Sequence, residues 1–395
     1  MLRLGLVCLC LCLAVCAARG ASPWRLDHLL TTFWCPPPAT DEALAAVAAE
    51  HYTMTWVPES GLDLAAKHGL RAMLQDGLIS PASLDDPGKR AQLDALIERV
   101  KDHPALYAYY ILDEPSAAQF PALGRLVAYL REKDPAHLAY INLFPTYASN
   151  EQLGTKGDVV TAYREHLRQF VEVVKPGLIS WDHYQFFKDH DTDQYFLNLK
   201  LIRDAAQQAG VPFLNIVQSS VVVKAWRKPN ADELRYLVYT TLAYGGRGLS
   251  YFTYWGPQEY DGLYVDGKAT PLAAAAARLN AEMASLSPVL MALDSRGVYH
   301  TAPIPWGGEA IPARSPIKIS GGEFVLGLFD HDAFMVVNRD YRKQATAHLT
   351  LAPGSKVQEF DRRTGKWRGY TTTTDGRVSV RLRPGDGRLF RIVKG

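Results

Sequence analysis

The sequence predicts an α/β protein with a (β/α)8 TIM barrel followed by a small all-β, sandwich-like C-terminal domain. Three observations support this prediction. Short apolar runs alternate with longer segments of helical periodicity from Leu26 to about Leu286. Eight such units occupy about 260 residues, which is the usual size of this barrel. After Ser287 the chain changes to alternating apolar and polar residues separated by turns, which is typical of antiparallel sheets.

The eight predicted strands are mostly continuous apolar runs, and parallel strands buried on both faces have this pattern. They are Leu26–Trp34, Tyr52–Val57, Leu70–Gln75, Leu106–Leu112, Leu138–Leu143, Leu178–Tyr184, Pro212–Val217 and Gly248–Trp255. A doubly wound open sheet is the rival architecture, but it usually has fewer strand–helix units. The sequence also lacks the glycine-rich phosphate-binding loop that often accompanies such a sheet.

Capping residues predict where several of the intervening helices begin. They are Ser60 with Asp63 ahead of a stop at Gly69, Ser116, Asn230 with Glu233 at capping-box spacing, and Thr270 followed by Pro271. Pro121 makes the first turn after Ser116 the least regular of these starts.

Residues 1–20 are predicted to be a signal peptide, with the barrel over 21–290 and the β domain over 297–395. Arg3 precedes an apolar stretch from Leu4 to Val15 that is too short to span a bilayer, and small residues follow it. The protein is therefore expected to be secreted or periplasmic. Lipoprotein anchoring at Cys16 is an alternative, although Val15 stands where a smaller residue is usual.

Removal of this signal changes the cysteine and charge counts. Four of the five cysteines lie inside it, so Cys35 alone remains and no internal disulfide is expected. The remaining chain has 41 basic and 41 acidic residues with no run of Lys or Arg. This balance argues against a nucleic acid or an anionic membrane as partner.

No further segment is apolar for long enough to cross a membrane, and no metal or cofactor signature is present.

Polar and aromatic side chains stand at the ends of the predicted strands, where a barrel of this type forms its active site. These candidate site residues are Trp34, Asp76, Asp113, Glu114, Asn142, Asp182, His183, Tyr184, Gln218 and Trp255. Carboxylates and amides hydrogen-bond hydroxyl groups, and indole faces stack on the C–H surfaces of sugars. The mixture predicts a carbohydrate substrate.

The adjacent acids Asp113 and Glu114 close the fourth predicted strand, YAYYILDEPS. Glycoside hydrolysis requires two carboxyl groups, one of which must be protonated to donate to the leaving oxygen. Glu114 follows an apolar strand, and Asp113 beside it would raise the cost of ionising both. We therefore expect Glu114 to be the general acid/base. The alternative is that Glu114 only precedes a helix start, where acids are favourable.

Here the sequence resembles the large clan of retaining glycoside hydrolases with (β/α)8 barrels, which includes the beta-galactosidase-like families. That clan carries Asn-Glu-Pro at the end of strand 4 with the Glu as acid/base, and Asp113-Glu114-Pro115 matches it at two of three positions. The resemblance covers roughly residues 25–290. The C-terminal segment PGDGRLFRI is also similar to the C-terminal domains of such enzymes.

The sequence departs from this clan at the end of strand 7. The clan has a nucleophilic Glu there, whereas this chain has NIVQSS with Gln218. Asp182 on strand 6 would be the second carboxylate if the chain resembles the alpha-galactosidase-like clan, which pairs strands 4 and 6. Asp113 could instead orient a substrate acetamido group, as in the beta-hexosaminidases. A third alternative is a protein that binds glycans without cleaving them.

The remaining candidates each have a structural alternative. His183 could bond a sugar hydroxyl or be an ordinary buried histidine, and Tyr184 should point to the opposite side of the strand. Asn142 could bond a substrate hydroxyl or hold a loop. Gln218 is expected in the site. Trp34 and Trp255 could stack on sugar or belong to the core. Asp76 is the weakest candidate, because a charged residue at this position is more typical of a solvent-exposed loop than of a binding site.

Overall fold

Eight parallel strands form a barrel in the computed structural model of the protein, which describes residues 23–393. The strands are β1 (Leu30–Phe33), β2 (Met54–Val57), β3 (Arg71–Leu74), β4 (Leu106–Asp113), β5 (Leu138–Leu143), β6 (Ile179–His183), β7 (Phe213–Gln218) and β8 (Gly248–Phe252). Their order around the sheet is β1-β8-β7-β6-β5-β4-β3-β2. The predicted barrel is confirmed.

The barrel is closed by contacts between β1 and the start of β2. The backbone N–H of Thr53 donates to the carbonyl of Thr31 at 2.9 Å, and the backbone N–H of Thr31 donates to Thr53 Oγ1 at 3.0 Å. Both strands are fully buried, as continuous apolar sequence predicts for a sheet covered on its outer face by helices.

The helices lie between successive strands. They are α1 (Asp41–Ala49), α2 (Leu62–Lys67), α3 (Pro81–Asp85), α4 (Pro87–Val100), α5 (Phe120–Lys133), α6 (Asn150–Leu153), α7 (Val159–Gln169), α8 (Tyr195–Ala209), α9 (Ala231–Ala243) and α10 (Pro271–Leu290). Asn230 and Glu233 form the predicted capping box at the start of α9. Ser116 caps a 3₁₀ turn over Ala117–Gln119, and α5 begins only after that turn.

The eighth predicted strand ends earlier in the structure than in the sequence. The apolar run from Gly248 to Trp255 leaves the barrel after Phe252, and Trp255 starts a separate excursion of three short strands. These are β9 (Trp255–Gly256), β10 (Tyr264–Val265) and β11 (Lys268–Ala269). Because the chain turns away here, Trp255 does not continue the inner surface of the barrel.

Antiparallel strands follow α10 and confirm the predicted all-β region. They are β12 (Ser295–His300), β13 (Lys318–Ser320), β14 (Phe324–Phe329), β15 (Ala333–Asn338), β16 (Ala345–Thr350), β17 (Lys356–Asp361), β18 (Lys366–Tyr370), β19 (Arg377–Leu382) and β20 (Gly387–Val393), arranged in sheets of six and three strands. The larger sheet packs closely on α9, since a Cβ added at Gly327 would lie 2.3 Å from the carbonyl oxygen of Ala243.

The predicted signal peptide at residues 1–20 lies outside the described residues. Among residues 23–393, no helix has the length and apolar character needed to cross a membrane.

Candidate active site

A bulge in β4 turns Asp113 toward the inside of the barrel. Tyr110 pairs with Tyr140 on β5, but the register then shifts, so that Asp113 pairs with Asn142. Side chains alternate between the two faces of a strand, and one extra residue reverses the alternation. Asp113 therefore shares the inner face with Tyr110, Tyr140 and Asn142, which an unbroken strand would not allow.

Glu114 follows in a left-handed backbone conformation with φ of 46°. Non-glycine residues rarely adopt this conformation, which costs about 1–2 kcal/mol. The backbone N–H of Glu114 donates to the carbonyl of Asn142 at 2.9 Å, so β5 holds the turn in place. The strained turn directs two successive carboxyl groups into the same region instead of onto opposite faces of the strand.

Asn142 joins the carboxyl groups of β4 and β6. Its Nδ2 donates to Asp113 Oδ1 at 3.0 Å and to Asp182 Oδ1 at 3.1 Å. Its Oδ1 accepts a hydrogen bond from Ser180 Oγ at 2.9 Å, which in turn is 2.7 Å from the hydroxyl of Tyr140. The amide is thereby oriented with both of its donors toward carboxylates, and it acts as a positioning residue.

Glu114 and Asp182 are hydrogen-bonded to each other through their side chains. Burial, followed by the charge of Asp113, raises the pKa of Glu114 to about 7. Asp182 is only 3% exposed, and burial together with the charge of Glu114 raises its pKa well above the usual range. Two carboxyl groups in contact cannot both ionise at low cost, so the pair retains a proton near neutral pH.

Two tyrosines lie beside this pair. Tyr184 lies beside Asp182, and burial followed by the charge of Asp182 raises its pKa. Tyr147, which the sequence analysis missed, stands on the loop after β5 with 42% of its surface exposed. Its hydroxyl accepts from the backbone N–H of Tyr184 at 3.3 Å, and burial and then the charge of Asp182 raise its pKa. The sequence could have identified Tyr147 as an aromatic residue in the loop that follows the fifth predicted strand, at the end of the barrel where the site was expected.

Aromatic rings continue the inner surface on both sides of the carboxyl groups. Trp34 lies 4.9 Å from Trp56 and 6.0 Å from Tyr110 between ring centroids, which places it with the predicted candidates on the inner face. Across the barrel, Tyr184 lies 4.5 Å from Trp226 and 5.1 Å from Phe252. Trp56 and Trp226 were also missed, because neither stands at the final residue of a predicted strand.

His183 lies on the outer side of β6, away from the carboxyl groups. Its two ring nitrogens are 3.0 Å from Asn198 Oδ1 and 3.1 Å from Thr192 Oγ1, and burial lowers its pKa to about 4. Asn198 also accepts from the backbone N–H of Thr146 and donates to the hydroxyl of Tyr163. The structure therefore gives His183 a packing environment, and of this neighbouring pair Tyr184 is the residue that faces the site.

Gln218 is engaged entirely with the backbone of two loops. Its Oε1 accepts from the N–H of Phe186 at 2.9 Å, and its Nε2 donates to the carbonyls of Phe186 and Arg227 at 3.1 Å each. The side chain is completely buried. At the position of the clan's nucleophile, this chain has a residue that ties together the loops after β6 and β7.

Gln218→Glu is expected to lower the free energy of unfolding by about 2–3 kcal/mol without creating activity, because two carbonyls lose their donor and face a carboxylate. Thermal denaturation and hydrolysis assays measure both effects. Gln208→Glu, at an exposed position on α8, is the control and should change stability by no more than about 0.5 kcal/mol. Equal melting of the two variants, or new hydrolytic activity, would contradict this role.

The structure does not bring Trp255 or Asp76 to the carboxyl groups. Trp255 stacks on Tyr264 at 5.9 Å within the excursion after β8. Asp76 Oδ1 accepts from the backbone N–H of Leu78 at 2.8 Å and stabilises the turn after β3. Both residues have local partners that account for their positions.

Comparison with known proteins supports the architecture. Neither a protein-family model nor any curated protein sequence matches this chain. A glycoside hydrolase of family 5 from Bacteroides vulgatus has a similar structure with a TM-score of 0.58 at 13% identity, covering 93% of this chain and 89% of that one. A second structure, described as a glycoside hydrolase, gives a TM-score of 0.57 at 14% identity with 92% of each chain covered. The chain has a glycosidase fold. At these identities the similarity is evidence for the fold alone.

Another large cleft lies elsewhere, between α10 and the C-terminal strands. It encloses about 1190 Å³ and is lined by seven arginines, of which Arg278 comes from α10 and the other six from residues 362–388. Four acidic residues, Glu282, Glu359, Asp361 and Asp386, share this lining. Within residues 23–393, no group of three His, Cys, Asp or Glu side chains has the arrangement of a metal site.

Proposed function

We propose that this protein hydrolyses O-glycosidic bonds of an oligo- or polysaccharide, with Glu114 as the general acid/base. The observation that carries the proposal is the meeting of the Glu114 and Asp182 carboxyl groups at the carboxyl ends of β4 and β6, where the pKa of Glu114 is raised to about 7. A carboxylic acid that keeps its proton near pH 7 can protonate a leaving alkoxide, whereas an ordinary exposed Glu cannot. The predicted signal peptide would deliver this activity outside the cytoplasm.

Glu114 is better placed than Asp182 to meet the substrate. Glu114 is half-buried, whereas Asp182 lies beneath it and is almost fully enclosed. The rings of Trp34 and Trp226 on either side offer apolar faces, and sugar rings stack on such faces. We therefore assign proton donation to Glu114, because burial and the charge of Asp113 raise its pKa.

Asp182 is also the proposed second carboxylate. In retaining enzymes the two carboxyl groups lie about 5–5.5 Å apart, and in inverting enzymes about 6.5–9.5 Å apart. Glu114 and Asp182 are hydrogen-bonded and therefore closer than either separation. A sugar ring can lie between them only if the Glu114 side chain rotates toward the glycosidic oxygen, which would leave Asp182 ionised below the ring.

Substrate-assisted hydrolysis is a second candidate, because Asp113 is exposed at the cleft and held by Asn142. In that mechanism Asp113 would orient a 2-acetamido group for attack on its own anomeric carbon, and no enzyme nucleophile is needed. The adjacent position of Asp113 and Glu114, both on the inner face, is the specific observation that favours this candidate.

A panel of aryl glycosides and reducing-sugar release from polysaccharides test the proposal. Hydrolysis of any member, lost in Asp182→Asn and Glu114→Gln, supports the two-carboxylate mechanism. Activity confined to 2-acetamido sugars and lost in Asp113→Asn supports substrate assistance. If wild type binds a polysaccharide but hydrolyses nothing on the panel, the protein is a glycan-binding module on a glycosidase fold and the proposal fails.

The pKa of Glu114 predicts the pH dependence of the reaction. Because the protonated form donates, kcat/KM on substrates with poor leaving groups should fall about tenfold per pH unit above about pH 7. An initial-rate profile from pH 5 to pH 9 measures this limb. A profile that stays flat to pH 9 would show that no group with this pKa is the acid.

A further inference from the structure

A second cleft lies where the loop between β6 and α8 meets the C-terminal strands. It encloses about 390 Å³, which is within the usual size of small-molecule sites. Its lining includes Gln185 and Asp193 from the barrel, and Trp306 and Arg339 from the C-terminal region. None of these residues takes part in the proposed carboxyl pair.

Trp306 forms an exposed apolar wall of this cleft. It is 44% exposed, and the nearby Ile304 is 41% exposed; they are two of only five large hydrophobic side chains with such exposure in residues 23–393. Burying such surface is favourable, so isolated exposure of a Trp beside a cleft indicates a contact surface.

The loop that carries Trp306 is anchored at both ends. Gly307 has φ of 81°, and a Cβ there would lie 2.4 Å from the Cα of Leu197 at the start of α8. On the other side, Arg339 Nη2 donates to the carbonyl of Pro303 at 2.6 Å. The indole is therefore presented from a segment packed against the barrel, and its position is preorganised.

Two buried polar side chains line this cleft, and one of them has unused hydrogen-bonding capacity. Arg339 is 8% exposed; its Nη2 also pairs with Glu323 at 2.7 Å, but its Nη1 has no partner among the described residues. Gln185, which is 3% exposed, adds an amide group to the same lining. A buried donor without a partner costs about 1–3 kcal/mol, which a ligand hydroxyl would relieve.

We propose that this cleft is a second carbohydrate-binding site, in which a pyranose ring stacks on Trp306 and its hydroxyl groups bond Arg339 and Gln185. An exposed indole in the same cleft as an amide and a guanidinium group matches a ring with an apolar face and hydroxyl edges. The exposed carboxylate of Asp193 adds an acceptor on the barrel side. The site takes a neutral hexose or pentose unit of a longer chain.

The position of this cleft connects it with the carboxyl groups. Gln185 follows Asp182 by three residues, and α8 begins directly after the same loop. Helices of the barrel start at the end where the strands finish, so the cleft opens at the end that carries Glu114. The inference deepens the proposed function and rests on it, because the ligand is a distal unit of the same polysaccharide.

Affinity electrophoresis in gels containing xylan, mixed-linkage β-glucan, galactan or mannan tests the site in a Glu114→Gln background. We expect at least one polysaccharide to retard the protein, and Trp306→Ala to weaken that binding about 5- to 10-fold. Trp306→Tyr should restore most of it. Val173→Ala, which removes an exposed apolar side chain elsewhere, is the control and should bind normally.

A kinetic arm separates this inference from the proposed function. In the active protein, Trp306→Ala should raise KM on the polysaccharide while leaving kcat/KM on aryl monosaccharides unchanged. Unaltered binding and kinetics in Trp306→Ala, or no retardation by any of the four polysaccharides, overturns the second site whether or not hydrolysis is found. Conversely, lost retardation in Trp306→Ala together with no hydrolysis by wild type supports the site and overturns the proposed activity.

Discussion

Glu114→Gln is expected to lower kcat about 10²- to 10⁴-fold on glycosides with alkyl leaving groups, because the amide cannot donate the proton that the departing oxygen needs. The loss should be much smaller on 2,4-dinitrophenyl glycosides, whose leaving group departs without protonation. Parallel kcat measurements on the two substrate types check the expectation. Glu132→Gln, on the exposed face of α5, is the matched control and should keep full activity on both.

An equal loss on both leaving groups would contradict acid catalysis and would point to a role of Glu114 in binding. The pH profile provides a second readout. The descending limb that wild type shows above about pH 7 on glycosides with alkyl leaving groups should disappear from the residual activity of Glu114→Gln on the same substrates. A limb that persists in the variant would belong to another group.

The same substitution should stabilise the fold. The pKa of Glu114 is raised from 4.5 to about 7, so the native state holds its proton more tightly than the unfolded chain between these values. Stability contributed by the protonated carboxyl is therefore lost as pH rises through this window. Gln does not titrate and can donate a hydrogen bond to Asp182. Above about pH 7 the free energy of unfolding of Glu114→Gln should therefore exceed that of wild type by an amount on the order of 1 kcal/mol, and its melting temperature should be higher.

Asn142→Asp is expected to have the largest effect on stability. The substitution is nearly isosteric, but it removes the Nδ2 donor that bonds Asp113 and Asp182 and places a further carboxyl group between them. Burial already raises the pKa of Asp182. At pH 8 the free energy of unfolding should fall by about 3 kcal/mol, as it does when a buried charge loses its partner.

Denaturation curves at pH 8 and pH 5 separate the charge effect from the lost hydrogen bonds. At pH 5 the clustered carboxyl groups take up protons, so most of the penalty should vanish. Gln208→Glu, an exposed amide-to-acid change on α8, supplies the control and should be nearly neutral at both values. An equal loss at pH 5 and pH 8 would mean that Asn142 acts through packing and not through the carboxylates it bridges.

Hydrophobic periodicity predicted the barrel because strands buried on both faces require near-continuous apolar sequence, and this requirement is local. The ends of these apolar runs also showed which polar residues follow each strand. The candidates chosen in this way include Asp113, Glu114, Asn142, Asp182 and Tyr184. Capping chemistry is equally local, and Asn230 with Glu233 forms its box as predicted.

What periodicity could not supply was the direction of individual side chains. The bulge in β4 reverses the alternation just before Asp113, and the left-handed turn redirects Glu114. Both features depend on pairing with β5, which is distant in sequence. For the same reason Gln218 and His183, which stand at strand ends in the sequence, are bound to loop backbone and to α8 in the fold.

The sequence alone was sufficient for the eight strand–helix units and the all-β region that follows them. Tertiary structure was needed to bring Glu114 close to Asp182 and to bury it, and this burial is the main reason that the pKa of Glu114 is raised. It was needed also for the Trp306 cleft, whose walls come from segments more than a hundred residues apart. Patterns along a chain record which face of an element is buried, but the chemistry of a site depends on which faces meet.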